Sequence, residues 1–302
     1  MTGERAAGEA KQRAAAMSIL SNILLTLSKL VAGMVTHSVS ILAEALHSGL
    51  DLAAAVMAFL AVRKSGKPAD ADHHFGHGKV ESMSGLAEGA LILVAVVLIW
   101  WTAGHRLLQE HSVLREPVVG MVVMGVSMVV NIFVSRLLFR VARRTDSMAL
   151  EADAWHLRTD VWTSAGVLVG LAAIAIATRA GLREAHLMDP LVAMVVGAVI
   201  ARAAVEIMRR SYDHLVDRSL PPEELAQIDA LLREHYPQYL EYHRLRTRKA
   251  GPQRYVDLHL VVPGEQSVAR AHELCDHLED DLRALLARTE VLIHVEPKRG
   301  DA

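Results

Sequence analysis

The chain has 302 residues, 52% of them hydrophobic and 22% charged, and its net charge is -2 when sixteen histidines are counted neutral. That balance gives no reason to expect nucleic acid as a partner. The single cysteine, Cys275, excludes an intrachain disulfide and a thiolate zinc cluster, so a metal site here must use His, Asp, Glu or carbonyl oxygen.

A mean hydropathy of +0.26 beside so many charges implies two unlike parts, one apolar and one polar. The first thirteen residues are short and mixed in charge and read as a cytoplasmic tail. They lack the small-residue cleavage site of a secretory signal, so the first apolar run is retained. A membrane span needs about 20 mostly apolar residues. Six stretches qualify: Ala14–Val35, Val39–Val62, Val80–Leu108, Val118–Phe139, Trp155–Thr178 and Pro190–Met208. They predict an α-helical membrane domain over residues 14–210.

Basic residues set the expected orientation. The N-terminal tail, Arg63–Lys79, Arg140–Arg144 and Arg209–Arg210 are rich in them, whereas the opposite loops carry only Arg115, Arg179 and Arg183, with Arg106 near a span end. Both termini are therefore expected in the cytoplasm. Trp100 and Trp101 fit an interfacial belt at the far end of span three.

The apolar character stops near Asp217–Pro222, where Pro221 and Pro222 end the last helix. Residues 211–302 read as a small two-layer α+β domain of order α-β-β-α-β. Its expected pieces are a helix Pro222–His235, strands Tyr242–Arg248 and Arg254–Val262 around Gly251-Pro252, a helix Gln266–Leu286, and a strand Glu290–Val295.

Spans two and five each contain His-x-x-x-Asp: His47 with Asp51, and His156 with Asp160. Residues i and i+4 share a helical face. A carboxylate near the bilayer centre costs about 2.5–3.5 kcal/mol, so two uncompensated ones cost about 5–7 kcal/mol. A divalent cation shared by both pairs supplies the missing charge, and two imidazoles with two carboxylates complete a tetrahedral shell. A plain hydrogen bond would explain one such pair; two of identical spacing favour metal. The mixed donors favour zinc, with cobalt and cadmium as passengers, over magnesium or calcium. Asn22, Lys29 and Asn131 read as packing or cavity-lining polars, while Glu44, Glu88 and Glu151 are candidates for pairing with them or passing protons.

A second cluster lies between spans two and three. Asp70, His73 and His77 are spaced to meet in a helical turn or compact loop, with Asp72 and His74 as substitutes in a shifted register. A third set is dispersed over the tail: His243 and His259 on adjacent strands, His272 on the following helix, and His294 and Glu296 on one face of the last strand. Spacing alone leaves these as ordinary surface residues, like His214, His235 and His277. No His-Glu-x-x-His, complete phosphate loop or Gly-x-Ser-x-Gly occurs, so no enzyme is indicated.

Six spans, the two His/Asp pairs and the small tail resemble the cation diffusion facilitator family. So do four local stretches, His74–Glu81, Asp217–Pro221, Leu245–Arg248 and Val291–His294, which look like those of its bacterial homodimeric zinc/iron exporters. The resemblance covers nearly the whole chain. It implies a homodimer in the inner membrane that exports Zn2+ in exchange for protons by alternating access. It implies a transport site at His47, Asp51, His156 and Asp160 and a loop site at Asp70, His73 and His77. His243, His259, His272, His294 and Glu296 would form a binuclear site between two tail domains of metallochaperone-like fold. Lys79 and Asp217 would form a charge interlock near the dimer contact. Two positions depart from the pattern. His47 stands where many bacterial relatives carry Asp, which points to the zinc-selective branch and weakens a claim for iron. Glu296 stands in place of Asp. A broader iron or manganese exporter and a membrane-tethered metal sensor are the rival readings.

Overall fold

The computed structural model describes residues 2–36, 39–108, 117–179, 188–235 and 238–298. Arg115 and Arg183 lie outside the described residues, as do the side chains of Glu44, Arg106 and Arg179. The chain forms two compact units, Met1–Tyr212 and Asp213–Ala302.

The first unit is helical: α1 (Thr2–Thr36), α2 (Val39–Ser65), α3 (Lys79–Leu108), α4 (Pro117–Thr145), α5 (Met148–Arg179) and α6 (Met188–Leu215). All but α5 contain, among the described residues, a stretch long and apolar enough to cross a membrane. α5 is as long; it carries Glu151, Asp153, Arg158 and Asp160 in its first half, and its sequence from Val161 to Thr178 is uncharged. Leu46 is 76% exposed and Phe133 66%. Side chains of that kind on every one of the other five helices suit hydrocarbon rather than water. The faces turned inward are lined with small residues, Ala15, Ala55, Ala58, Ala149 and Ala154, all fully buried. Small residues let helices approach closely where lipid offers no hydrophobic drive to associate. Gly85, Gly89 and Gly197 serve the α3–α6 contact. A Cβ on Gly85 would stand 2.6 Å from Ser211 Oγ, and one on Gly197 2.5 Å from Trp100 Nε1. Trp100 Nε1 donates to the Met194 carbonyl at 3.2 Å across the same contact.

α1 starts at Thr2, so the mixed-charge residues before Ala14 continue the helix. This puts Lys11 inside the bundle, where its Nζ meets Glu81 Oε1 at 2.5 Å. Glu81, at the start of α3, is fully buried. Ser65 Oγ donates to the same oxygen at 2.7 Å, and Ser147 Oγ donates to Oε2. Ser147 is held between α4 and α5 by a tight turn. Asp146 takes a positive φ of 54° and the Ser147 N–H reaches back to the Ala142 carbonyl at 3.0 Å, the αL ending that satisfies a helix's last carbonyls. One carboxylate thus ties α1, α2, α3 and the α4–α5 turn at a single end of the bundle.

The second unit contains α7 (Pro222–Glu234), β1 (Glu241–Ala250), β2 (Gln253–Val262), α8 (Val268–Leu285) and β3 (Thr289–Pro297), the order expected. The sheet runs β1-β2-β3, antiparallel then parallel. α8 starts at Val268 because Ser267 caps it, accepting the Arg270 N–H at 3.3 Å. Alternate β2 residues Val256, Leu258, Leu260 and Val262 point to the helices and pack with Ile228, Leu232, Leu274, Leu278 and Leu282. Among the described residues of this unit, no helix lies on the opposite face of the sheet. A bulge at Arg244, with φ 52°, falls between His243 and Arg246 and keeps His243 opposite His259.

Candidate metal centres

The two intramembrane pairs converge. His156 Nε2, on α5, lies 3.1 Å from Asp51 Oδ1 on α2. His47 Nε2 lies 3.9 Å from the same oxygen. His47, Asp51 and Asp160 each offer a ligand atom within 4.8 Å of the others. Donors bonded to one zinc at about 2.0–2.1 Å stand about 3.3 Å apart in a tetrahedron. Small rotamer changes would draw these donors to that spacing, so the residues suit the ion.

A cavity of about 480 Å3 holds all four side chains. Toward the Glu81 end its lining stops at Asn22, Asp51, Ile92, Asn131, His156 and Ile200, and it continues the other way to Ala103, Met124 and Pro190. Below that floor Leu138, Leu150 and Ala142 belong to one buried apolar cluster and Ala204 and Ile207 to another. The cavity therefore extends from the His/Asp pairs toward the end of the bundle remote from Glu81. Ser127 Oγ, Asn131 Oδ1 and His156 Nδ1 are buried there without a hydrogen-bond partner among the described residues. Buried polar atoms in a roomy polar cavity are the usual hosts of ordered water.

The α2–α3 loop folds back on Asp70. Its Oδ1 accepts the backbone N–H of His73 at 2.8 Å and of Asp72 at 3.1 Å. His73 Nδ1 lies 3.2 Å from Oδ1, and His77 Nε2 lies 3.4 Å from Oδ2. The His73 and His77 rings stack with centroids 4.4 Å apart. The His73 N–H, above all, holds the Asp70 carboxyl below the usual carboxylate range against the opposing effect of burial. All three residues can reach one ion.

On the bare face of the sheet a histidine stands on each strand. His243 pairs with His259, and His259 with His294, in register. The ring centroids are 5.3 Å and 4.7 Å apart. Glu296 spans the row: Oε1 lies 2.8 Å from His259 Nδ1, and Oε2 lies 3.5 Å from His243 Nε2. The His259 bond, first, and the neighbouring imidazoles hold the Glu296 carboxyl below its ordinary value, with burial opposing.

Two sequence profiles account for this architecture. That of the cation efflux transmembrane domain matches residues 15–216, and that of the cation efflux protein cytoplasmic domain, a dimerising domain, matches 220–298. The chain belongs to the cation diffusion facilitator family. An uncharacterized transporter of Synechocystis sp. is 37% identical over 89% of this chain and 84% of its own. The cation-efflux pump FieF of Serratia proteamaculans is 34% identical over 95% of this chain and 92% of its own. The metal-bound C-terminal domain of the CzcD transporter from Thermotoga maritima is 31% identical over 28% of this chain and all of that domain, at a TM-score of 0.25. As a cation diffusion facilitator the protein is a multi-pass membrane transporter for cation efflux with a dimerising C-terminal domain.

Within this facilitator one expected ligand stands apart. His272 is 75% exposed and pairs with Asp276 at 3.8 Å. α8 turns Ala271, Leu274 and Cys275 to the core, and the core lies on the covered face of the sheet. Within one chain His272 thus lies in the layer opposite the His243–His259–His294 row. Lys79, at the head of α3, and Asp217, just past α6, fall in different units. Asp217 has φ 58° and lies 3.5 Å from Arg248 Nη1. Asn22, Lys29 and Asn131 line the cavity that holds the two His/Asp pairs, and Glu88 and Asp153 are buried. Lys11 and Glu81 escaped sequence reasoning, because hydropathy treats a lysine outside an apolar run as solvated.

Proposed function

We propose that this facilitator exports zinc, with cobalt and cadmium as secondary substrates, from the cytosol across the inner membrane in exchange for protons. The observation that carries the reading is the meeting of the two His-x-x-x-Asp pairs from α2 and α5 in one cavity. Their mixed donors suit zinc better than the oxygen-preferring divalents. Imidazole and carboxylate must shed protons to bind metal. Histidine's unperturbed pKa near 6.5 lets protons on the outer side displace the ion.

The basic loops assign the Glu81 end of the bundle, and both termini, to the cytoplasm. On that assignment the cavity extends to the outer side while the cytoplasmic side is packed shut, which supports an outward-facing state. Alternating access then requires the α1–α2–α3–α5 contacts around Glu81 to part when the cavity opens inward. Asp70, His73 and His77 form a second zinc site. His243, His259, His294 and Glu296 form a third between two tail domains, where His272 joins only from a second copy. Glu296 places one oxygen toward each of two histidines, an arrangement suited to bridging two ions. Lys79 and Asp217 act as a charge interlock near the dimer contact. Zinc at the loop and tail sites changes transport only by binding one conformation more tightly than the other.

Flux into proteoliposomes under an imposed pH gradient tests this with zinc, cobalt, cadmium, iron and manganese in turn. Zinc should lead, collapse of the gradient should stop uptake, and Asp51→Ala and Asp160→Ala should abolish it while the dimer stays folded. Full activity of Asp160→Ala, or equal transport of iron and manganese, would overturn the reading.

A further inference from the structure

The cavity that holds the metal ligands also holds a cation of the chain's own. Lys29, on α1, is 7% exposed and lines that cavity with His47, Asp51, His156 and Asp160. Its Nζ donates to Ser48 Oγ at 2.7 Å. Ser48 follows His47 and precedes Asp51 by one helical turn, so this bond ties the ammonium to the segment of α2 that supplies half the ligand set. The ammonium shares this cavity with the Asp160 carboxylate. A lysine inside a membrane helix ordinarily stretches toward the interface. This one is turned inward and anchored.

We propose that Lys29 is a resident counter-ion of the metal site, offsetting carboxylate charge when the ion has left and loosening the ion's hold when it is present. The inference rests on the transport-site reading of the cavity. With both carboxylates ionised and both imidazoles neutral the pairs carry two negative charges, and Lys29 leaves one. An emptied site therefore does not bury two uncompensated charges while the helices rearrange. A bound dication, conversely, leaves one surplus positive charge in a confined space, and that repulsion favours release. Without Lys29 the same ligands would grip the ion harder and let it go more slowly.

The test is zinc flux by the full-length protein in proteoliposomes. Lys29→Gln removes the charge and keeps a donor for Ser48; Lys29→Met removes both; Lys29→Arg keeps the charge. Both neutral variants should lower KM for zinc on the order of tenfold, the effect of one partly screened charge at this range. They should also lower kcat, and Lys29→Arg should restore both parameters. A lysine that merely braces α1 against α2 predicts the reverse: Lys29→Met raises KM or unfolds, and Lys29→Gln behaves as wild type. Either result, or an unchanged KM in Lys29→Gln, would overturn the proposal. Asp160→Ala, run beside them, separates the two layers, since undiminished transport by that variant removes the site itself whatever Lys29 does.

Discussion

Single residues carry the sharpest consequences in the C-terminal unit. The Tyr242 hydroxyl donates to Asp229, whose carboxylate also meets Arg233 at 2.8 Å. Burial, first, and then the Asp229 bond push the Tyr242 hydroxyl up to about 12. The Tyr242 bond in turn holds the Asp229 carboxyl below its ordinary value, against burial and with help from Arg233. The signs differ. Tyr242 has a raised folded pKa, so its contribution to stability is full below the unfolded value near 10 and vanishes as the pH climbs toward about 12. Asp229 has a depressed one, so its contribution is present above the unfolded value of 3.8 and is lost as the pH falls through the folded value. Tyr242→Phe should therefore flatten the melting profile at both extremes, as read by thermal denaturation against pH. A profile parallel to wild type at the alkaline end would contradict the pairing. At the same scale the sequence was uneven. His47, Asp51, His156 and Asp160 were legible because carboxylates in apolar helices demand compensation. His272 looked like a ligand only through family resemblance, and no spacing rule could show that α8 carries it away from the histidine row. Glu296 stands in place of Asp, and its greater length lets one side chain lie beside both His243 and His259.

Among the elements, α3 and α6 show how glycine sets a membrane contact. Gly85 and Gly89 lie one turn apart on α3, and side chains built on them would collide with Ser211 and Met208 of α6. Leucine at Gly85 should overpack this contact and destabilise the protein by about 1–3 kcal/mol. The midpoint of unfolding in mild detergent measures that. A melting temperature equal to wild type would mean α6 moves aside freely. The number and order of helices and strands were readable from hydropathy and period, and the bounds differ by a few residues for physical reasons. α4 runs past Phe139 to the tight turn at Asp146, and α8 waits for its cap at Ser267. α1 departs most, because helix continuation through Lys11 depends on a partner seventy residues away on α3. α5 is the instructive element. Its first half gathers the charges that give the bundle its chemistry, and its second half is uncharged.

For the whole molecule, the proposed third metal site would join dimerisation to metal binding in the tail. If His272 completes the histidine row only from a second copy, His272→Ala should lower zinc stoichiometry or affinity of the dimer without altering the fold of one chain. Equilibrium dialysis of the intact protein would show it, and identical zinc content would argue for a site closed within each chain. Glu81 belongs to this scale as well, because its partners come from separate parts of the bundle. Glu81→Ala leaves the Lys11 ammonium buried without its counter-charge, which in buried pairs costs about 3–5 kcal/mol. Thermal melting checks the loss, and Lys11→Met with Glu81→Gln should recover much of it by removing both charges together.

The depth at which Lys11 is held has a practical edge. The sequence alone places the first span at Ala14–Val35, and trimming the residues before Ala14 would leave that run untouched. The shortened protein would nonetheless lose the ammonium that stoppers one mouth of the bundle. With Glu81 left buried without its counter-charge, it should melt lower than the full chain, and on the proposed reading it should move zinc with poor coupling to the pH gradient.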